Sequence, residues 1–185
     1  MKVGFFYYEG FAEFELVLCS LYFREQETLA VTLDGGAVAS LERQRFLPDR
    51  ALREVDASAL DLLVIPGGNP GKLYGNAELR EFVERLLRSG GKVAGICGGA
   101  ELLASLGVLR GKRCTGDSEG VTEKSESYAY FRDSTPVDED VVVDGNVITG
   151  KGKAFIQFAV ELARIMGVVK TGEEAEADLR MFRNL

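Results

Sequence analysis

Short apolar runs alternate along this chain with segments whose apolar residues recur at helical spacing, and that rhythm admits few architectures. "KVGFFYY" reads as a first strand, and a helix is expected from about Phe11 to Arg24. "LAVTLD" is a second strand, and "AVASLERQRFLPD" a small hairpin or excursion with its polar residues in the middle. "LDLLVIPGG" has the unbroken apolar run of a strand buried on both faces. "ELREFVERLLRS" places Leu79, Phe82, Val83, Leu86 and Leu87 on one helical face and is stopped by "SGG". "KVAGI" and "GAELLASLG" repeat the strand–helix step. "VDEDVVVDGNVITG" reads as a hairpin, because "DGN" between apolar runs is a turn signal. In "KAFIQFAVELARIMG" only Gln157, Glu161 and Arg164 form a polar stripe, so most of that helix should be buried. "EEAEADLRMF" is expected to pack as a short surface helix, whereas residues 112–135 are polar and carry no clear period. Strands alternating with helices in this way imply an α/β fold: a mostly parallel sheet with helices on both faces and chemistry at the carboxyl ends of its strands.

At 185 residues the chain is long enough for one full-sized core and short for two, and no linker or repeat divides it. It is therefore read as a single domain over 1–185. The net charge of −7 repels phosphate backbones and argues against nucleic acid as a partner. No stretch approaches the length that spans a bilayer, and the N-terminal apolar run is too short for a signal peptide, so no membrane partner and a cytoplasmic location are expected. Cys19, Cys97 and Cys114 show no paired spacing and would stay free in a reducing compartment. Histidine is absent altogether. That removes cysteine–histidine and serine–histidine catalysis, histidine metal sites and the commonest general base. No cofactor or metal is expected.

Against that background "KVAGICGGAELLASLG" places a thiol where a strand turns into a helix. Gly95, Cys97 and Gly99 fit the pattern G-x-nucleophile-x-G, in which glycines two residues either side remove a collision at a strained corner. The first turn of the following helix would favour a thiolate, and the N–H of Gly98 is placed to receive a developing oxyanion. The plain alternative is a small buried hydrophobe, and that is the reading for Cys19 and Cys114.

Glu15 is the second anomaly, with Phe11, Ala12, Leu18 and Cys19 three and four residues away on the same helical face. A carboxyl on a core-facing stripe must be paired or protonated, unless it reaches out to solvent. Glu13 reads as surface. "PGGNPG" closes a strand's carboxyl end, where its backbone N–H groups could supply a second oxyanion donor or form an ordinary turn. The glycines near Lys72 and Lys112 lack the spacing of a nucleotide-binding loop, and "GKGKAF" reads as a turn opening a helix.

These segments together resemble the ThiJ/PfpI superfamily, over "EGFAEFE", "DASALDLLVIPGG", "GGKVAGICGGAELLASLGVLRGKRCT" and "DGNVITGKGKAFIQFAVEL". The resemblance implies a flavodoxin-like three-layer α/β/α sandwich with a nucleophile elbow, commonly a homodimer. It maps the elbow cysteine onto Cys97, its partner glutamic acid onto Glu15, and the oxyanion donors onto the backbones of Gly98 and Gly68. In that pattern a protonated glutamic acid favours the thiolate. The chain departs from the superfamily where peptidase-like members carry a histidine after the cysteine, here Gly98, and where deglycase-like members carry one after the next strand, here "RCTGD". Thr115, Asp117, Ser118 or Glu119 could line the pocket in its place. Proteolysis and glutamine hydrolysis are disfavoured accordingly. The expectation is attack by Cys97 on a small electrophile, an aldehyde or α-oxoaldehyde, through a hemithioacetal, as in a glyoxalase or deglycase. The alternative is a redox sensor or stress-protective protein whose Cys97 is oxidised to the sulfinic acid.

Overall fold

A computed structural model of the chain describes residues 1–184. In chain order its elements are β1 (Lys2–Phe6), α1 (Phe14–Phe23), β2 (Glu27–Thr32), β3 (Val38–Ala39), β4 (Arg45–Phe46), β5 (Arg50–Ala51), β6 (Leu62–Ile65), α2 (Ala77–Arg88), β7 (Lys92–Ile96) and α3 (Gly98–Ser105). β8 (Arg113–Cys114), β9 (Thr135–Pro136), β10 (Val141–Asp144), β11 (Val147–Gly150), α4 (Phe155–Ile165) and α5 (Gly172–Arg183) complete it. The main sheet runs β10-β11-β7-β6-β1-β2-β5, and only β10 is antiparallel to its neighbour. With helices flanking this mostly parallel sheet, the fold is the expected flavodoxin-like α/β sandwich.

Burial follows the apolar runs. Leu62, Leu63, Val64 and Ile65 of β6 are all fully buried, each side chain contributing about 1.5–3 kcal/mol of transfer free energy. α2 places Leu79, Phe82, Val83 and Leu86 inside and its charges outside. α4 buries Phe158, Ala159, Val160, Leu162 and Ala163. α5 packs on α4 through Ala175, and Tyr22 of α1 donates from its hydroxyl to Asp178 at 2.6 Å. Cys19 and Cys114 are fully buried packing residues. Residues 37–49 form the anticipated small hairpin, with β3 and β4 antiparallel, and the "DGN" turn joins β10 to β11.

Two differences from the sequence reading bear on the site. α1 begins at Phe14 rather than Phe11, because residues 10–12 are pinned to the turn after β6: Ala12 N–H donates to Gly67 O at 2.8 Å and Asn69 N–H to Gly10 O at 3.0 Å. The free N–H groups at its start are met by Glu42 from the β3–β4 hairpin, whose carboxylate accepts from Glu13 and Phe14. Glu13 is half-buried beneath that hairpin, accepting from Ser40 Oγ at 3.3 Å. Residues 112–135 form the two-residue pair β8–β9 and a 3-10 turn over 126–131, with only loop between.

Candidate functional site

The strand–helix corner carries a backbone conformation that L-residues rarely adopt. Cys97 has φ 53° and ψ −123°, and it immediately precedes α3. Such a residue persists only where surrounding structure over-determines it, at a cost of about 1–3 kcal/mol. Here Cys97 N–H donates to Gly150 O at 2.8 Å, and Cys97 O accepts from Ala100 N–H at 3.0 Å. The flanking glycines are sterically required. A Cβ on Gly95 would lie 2.8 Å from Gly99 O, and one on Gly99 would lie 2.6 Å from Pro66 O. The thiol that results is half-buried and opens onto a cavity of about 310 Å³.

Glu15, one residue into α1, is 2% exposed. Its Oε2 accepts from Gly67 N–H at 2.6 Å, and its carboxyl faces the Cys97 thiol. The turn that supplies this N–H is locked from behind, since Tyr8 Oη donates to Gly67 O at 2.6 Å and reaches Pro66 O at 3.0 Å. Gly68 follows at φ 110°, where a Cβ would meet Phe11 Cα at 2.7 Å. Its N–H donates to no backbone carbonyl among the described residues, and Gly68 lines the cavity beside the thiol. Gly98 N–H is directed at the Cys97 sulfur. Cys97, Glu15, Gly98 and Gly68 therefore come together at the carboxyl ends of β6 and β7.

Two further glycines complete the enclosure. A Cβ on Gly67 would sit 2.6 Å from both Cys97 Cβ and Glu15 Oε2. One on Gly152 would lie 3.0 Å from Cys97 Sγ and 3.1 Å from Glu15 Oε1. Gly152 is held there by its N–H to Asp117 O at 2.9 Å, with Lys153 N–H on Ser118 O at 3.2 Å. The adjacent Lys151 is buried, with Asp138 at 2.7 Å and Asp140 at 3.3 Å. Sequence reading did not single out Gly67 or Gly152. The turns "PGGNPG" and "GKGKAF" were visible, but what they pack against was not.

The pocket candidates separate in space. Ser118 lines the Cys97 cavity together with Ala12, Phe14, Leu41, Lys153 and Phe155. Asp117 faces a neighbouring cavity, and its carboxylate accepts from Ser118 N–H and Ser125 Oγ. Glu119 pairs with Lys153 at 2.6 Å. Thr115 is turned inward, fully buried, its N–H on Thr149 Oγ1, and lines neither cavity. Among the described residues, no cluster of Cys, Asp and Glu could hold a metal ion. No helix among them is long and apolar enough to cross a membrane.

Electrostatics at the pair run against a free-standing thiolate. Burial pushes Glu15 up to about 7, with the Gly67 N–H and the thiol opposing it. Burial and then the Glu15 charge push Cys97 up to about 12, while the Gly98 N–H pulls the other way. The helix start is thus outweighed by desolvation and a like charge. The two groups form one coupled unit that loses its first proton near neutrality and resists losing the second. A carboxylate with this affinity for a proton, set against a thiol, is matched to act as that thiol's base.

The chain is similar to known proteins over most of its length. The model of the DJ-1/PfpI family matches residues 1–165, which leaves α5 beyond it. Protein dj-1beta of Drosophila melanogaster is 33% identical over 178 residues, covering 90% of both chains. A deglycase of Pyrococcus abyssi is 30% identical over 160 residues, covering 82% of this chain and 90% of its own. Among solved structures, a DJ-1 superfamily protein from Agrobacterium tumefaciens superposes with a TM-score of 0.79 at 29% identity, covering 100% of this chain and 98% of that one.

Proposed function

Because the chain belongs to the DJ-1/PfpI family, we propose that Cys97 is the nucleophile of a glyoxalase- or deglycase-like reaction on small carbonyl compounds, with Glu15 as its base. One observation carries this reading: a half-buried thiol and a buried carboxyl face each other at a cavity beside the Gly68 and Gly98 N–H groups. The deglycase name of the Pyrococcus abyssi relative supports carbonyl chemistry.

As Sγ bonds to an aldehyde carbon, the thiol proton passes to Glu15 and the carbonyl π pair moves onto oxygen. The N–H groups of Gly68 and Gly98 receive that oxyanion, and Glu15 returns the proton to give a hemithioacetal. With an α-oxoaldehyde, Glu15 next removes the hemithioacetal C–H as a proton, leaving an enediolate whose charge the same N–H groups receive. Return of that proton to the neighbouring carbon, with the hydroxyl proton passing from the first oxygen to the second, gives the thioester of a 2-hydroxy acid. Water cleaves the thioester and restores the thiol. One carbon is oxidised, its neighbour is reduced, and one water is consumed overall.

The test is conversion of methylglyoxal to lactate without glutathione, by untreated protein and by protein alkylated at Cys97. Activity confined to the untreated protein is the expected result. Equal activity in both would remove Cys97 from the chemistry. Peroxide-driven gain of two oxygens at Cys97 with no aldehyde turnover would favour the sensor reading instead.

The proposal includes a homodimer. Phe14, Val17 and Leu21 form a stripe along α1 at 47%, 53% and 41% exposure, and Phe14 also lines the Cys97 cavity. Such a stripe facing water is costly unless covered. Light scattering should give twice the chain mass for the wild type and the single-chain mass for Val17→Asp. A wild type of single-chain mass would rule the dimer out.

A further inference from the structure

A second cavity, of about 420 Å³, is lined by Tyr74, Glu101, Asp117, Glu126, Ser127 and Tyr130. Asp117 faces it while the next residue, Ser118, faces the Cys97 cavity, so the two are neighbours. Its composition is unlike that of the first. Three carboxylates meet two aromatic rings, and Tyr74 and Tyr130 lie 4.9 Å apart between centroids with planes at 58°. Tyr74 Oη donates to Glu101 Oε2 at 2.8 Å, which leaves the other oxygen of that carboxylate without a partner among the described residues. None of the three carboxylates has a lysine or arginine within ion-pair distance among the described residues. In the same wall Ser127 is 5% exposed, and its Oγ has no hydrogen-bond partner among the described residues. A buried hydroxyl left unmatched is costly unless a ligand or water meets it.

We propose that this cavity binds an alkylammonium or guanidinium cation. The carboxylates supply the counter-charge, the faces of Tyr74 and Tyr130 attract a cation and cover an apolar stem, and Ser127 Oγ accepts a hydrogen bond. Glu101 lies in the first turn of α3, the helix that opens at Gly98, and Tyr74 closes the 3-10 turn that follows Gly68. A cation held here therefore grips the two segments that bear the candidate oxyanion donors. The site is separate from the carbonyl chemistry, and no step at Cys97 depends on it.

The experiment is a titration of the full chain, followed by NMR and calorimetry, with n-butylammonium, methylguanidinium, and blocked tetrapeptides containing one lysine or one arginine. Saturable binding that weakens with salt is expected, about tenfold weaker in Glu101→Gln and in Tyr130→Leu. Tyr130 is 43% exposed, so its replacement leaves the core intact. Cys97→Ala should bind as the wild type does, which separates this result from the fate of the carbonyl reading. Tighter binding of the free cations identifies a small-molecule site, and tighter binding of the peptides a side-chain site. Absence of saturation with every probe, equal affinity in both variants, or equal binding of neutral n-butanol would overturn the proposal.

Discussion

The Cys97→Ala variant is expected to fold as the wild type does and to convert α-oxoaldehydes no faster than buffer. Alanine keeps the Cβ and therefore keeps the strained corner at φ 53°, so nothing in the backbone is relieved. Only the sulfur is lost, and with it the covalent step. Cys97→Gly makes the complementary measurement. It should be as inactive, yet more stable than the alanine variant by about 1–2 kcal/mol, because glycine occupies that backbone region without strain. Denaturant midpoints of the two variants read the strain directly. Equal midpoints would mean that the corner stores nothing, and retained turnover in either variant would exclude Cys97 as the nucleophile.

Glu15→Gln should separate function from stability in opposite directions. The carboxyl's affinity for a proton is raised from about 4.5 to about 7 by burial first, so between those values the folded state holds a proton that the unfolded chain releases. The stability of the wild type is therefore fully present below about pH 4.5 and declines as pH rises through about 7. A shift of that size corresponds to about 3 kcal/mol at pH 8. Glutamine keeps the acceptor for Gly67 N–H and carries no charge. Its variant should melt several degrees above the wild type at pH 8, with the difference closing towards pH 5. Turnover should fall by on the order of 10² to 10⁴ with loss of the base. Alkylation of Cys97, which in the wild type should rise with pH through about 7, should instead rise only in the range of a lone thiol. A variant no more stable at pH 8 than at pH 5, relative to wild type, would contradict the buried-carboxyl argument.

How far the residues alone disclosed this site follows from which contacts are local. The Gly95–Cys97–Gly99 spacing is a one-turn steric relation, so the elbow could be read directly, and the collision it anticipates is the one found between Gly95 and Gly99. Glu15 was legible because its helical neighbours are apolar. What faces it was not, since Gly67 and Gly152 arrive from turns 52 and 137 residues further along the chain. The electrostatics around Cys97 are only half legible for the same reason. A helix start is visible in sequence, whereas desolvation and an opposing carboxylate depend on tertiary packing. The premature start assigned to α1 had the right periodicity, but hydrogen bonds to the turn after β6 claimed residues 10–12 first. Thr115 was a fair candidate by position, yet the short β8 strand leaves it pointing inward.

The burial of the three cysteines has a practical corollary. Cys19 and Cys114 are sealed in the interior and only Cys97 has any access to solvent, with none of the three in a disulfide. A colourless thiol dye offered to the intact chain should therefore take one equivalent, and three once the chain is opened by denaturant. The molecule carries its own stoichiometric gauge of integrity, legible in a mass spectrum as the number of reagent equivalents taken up.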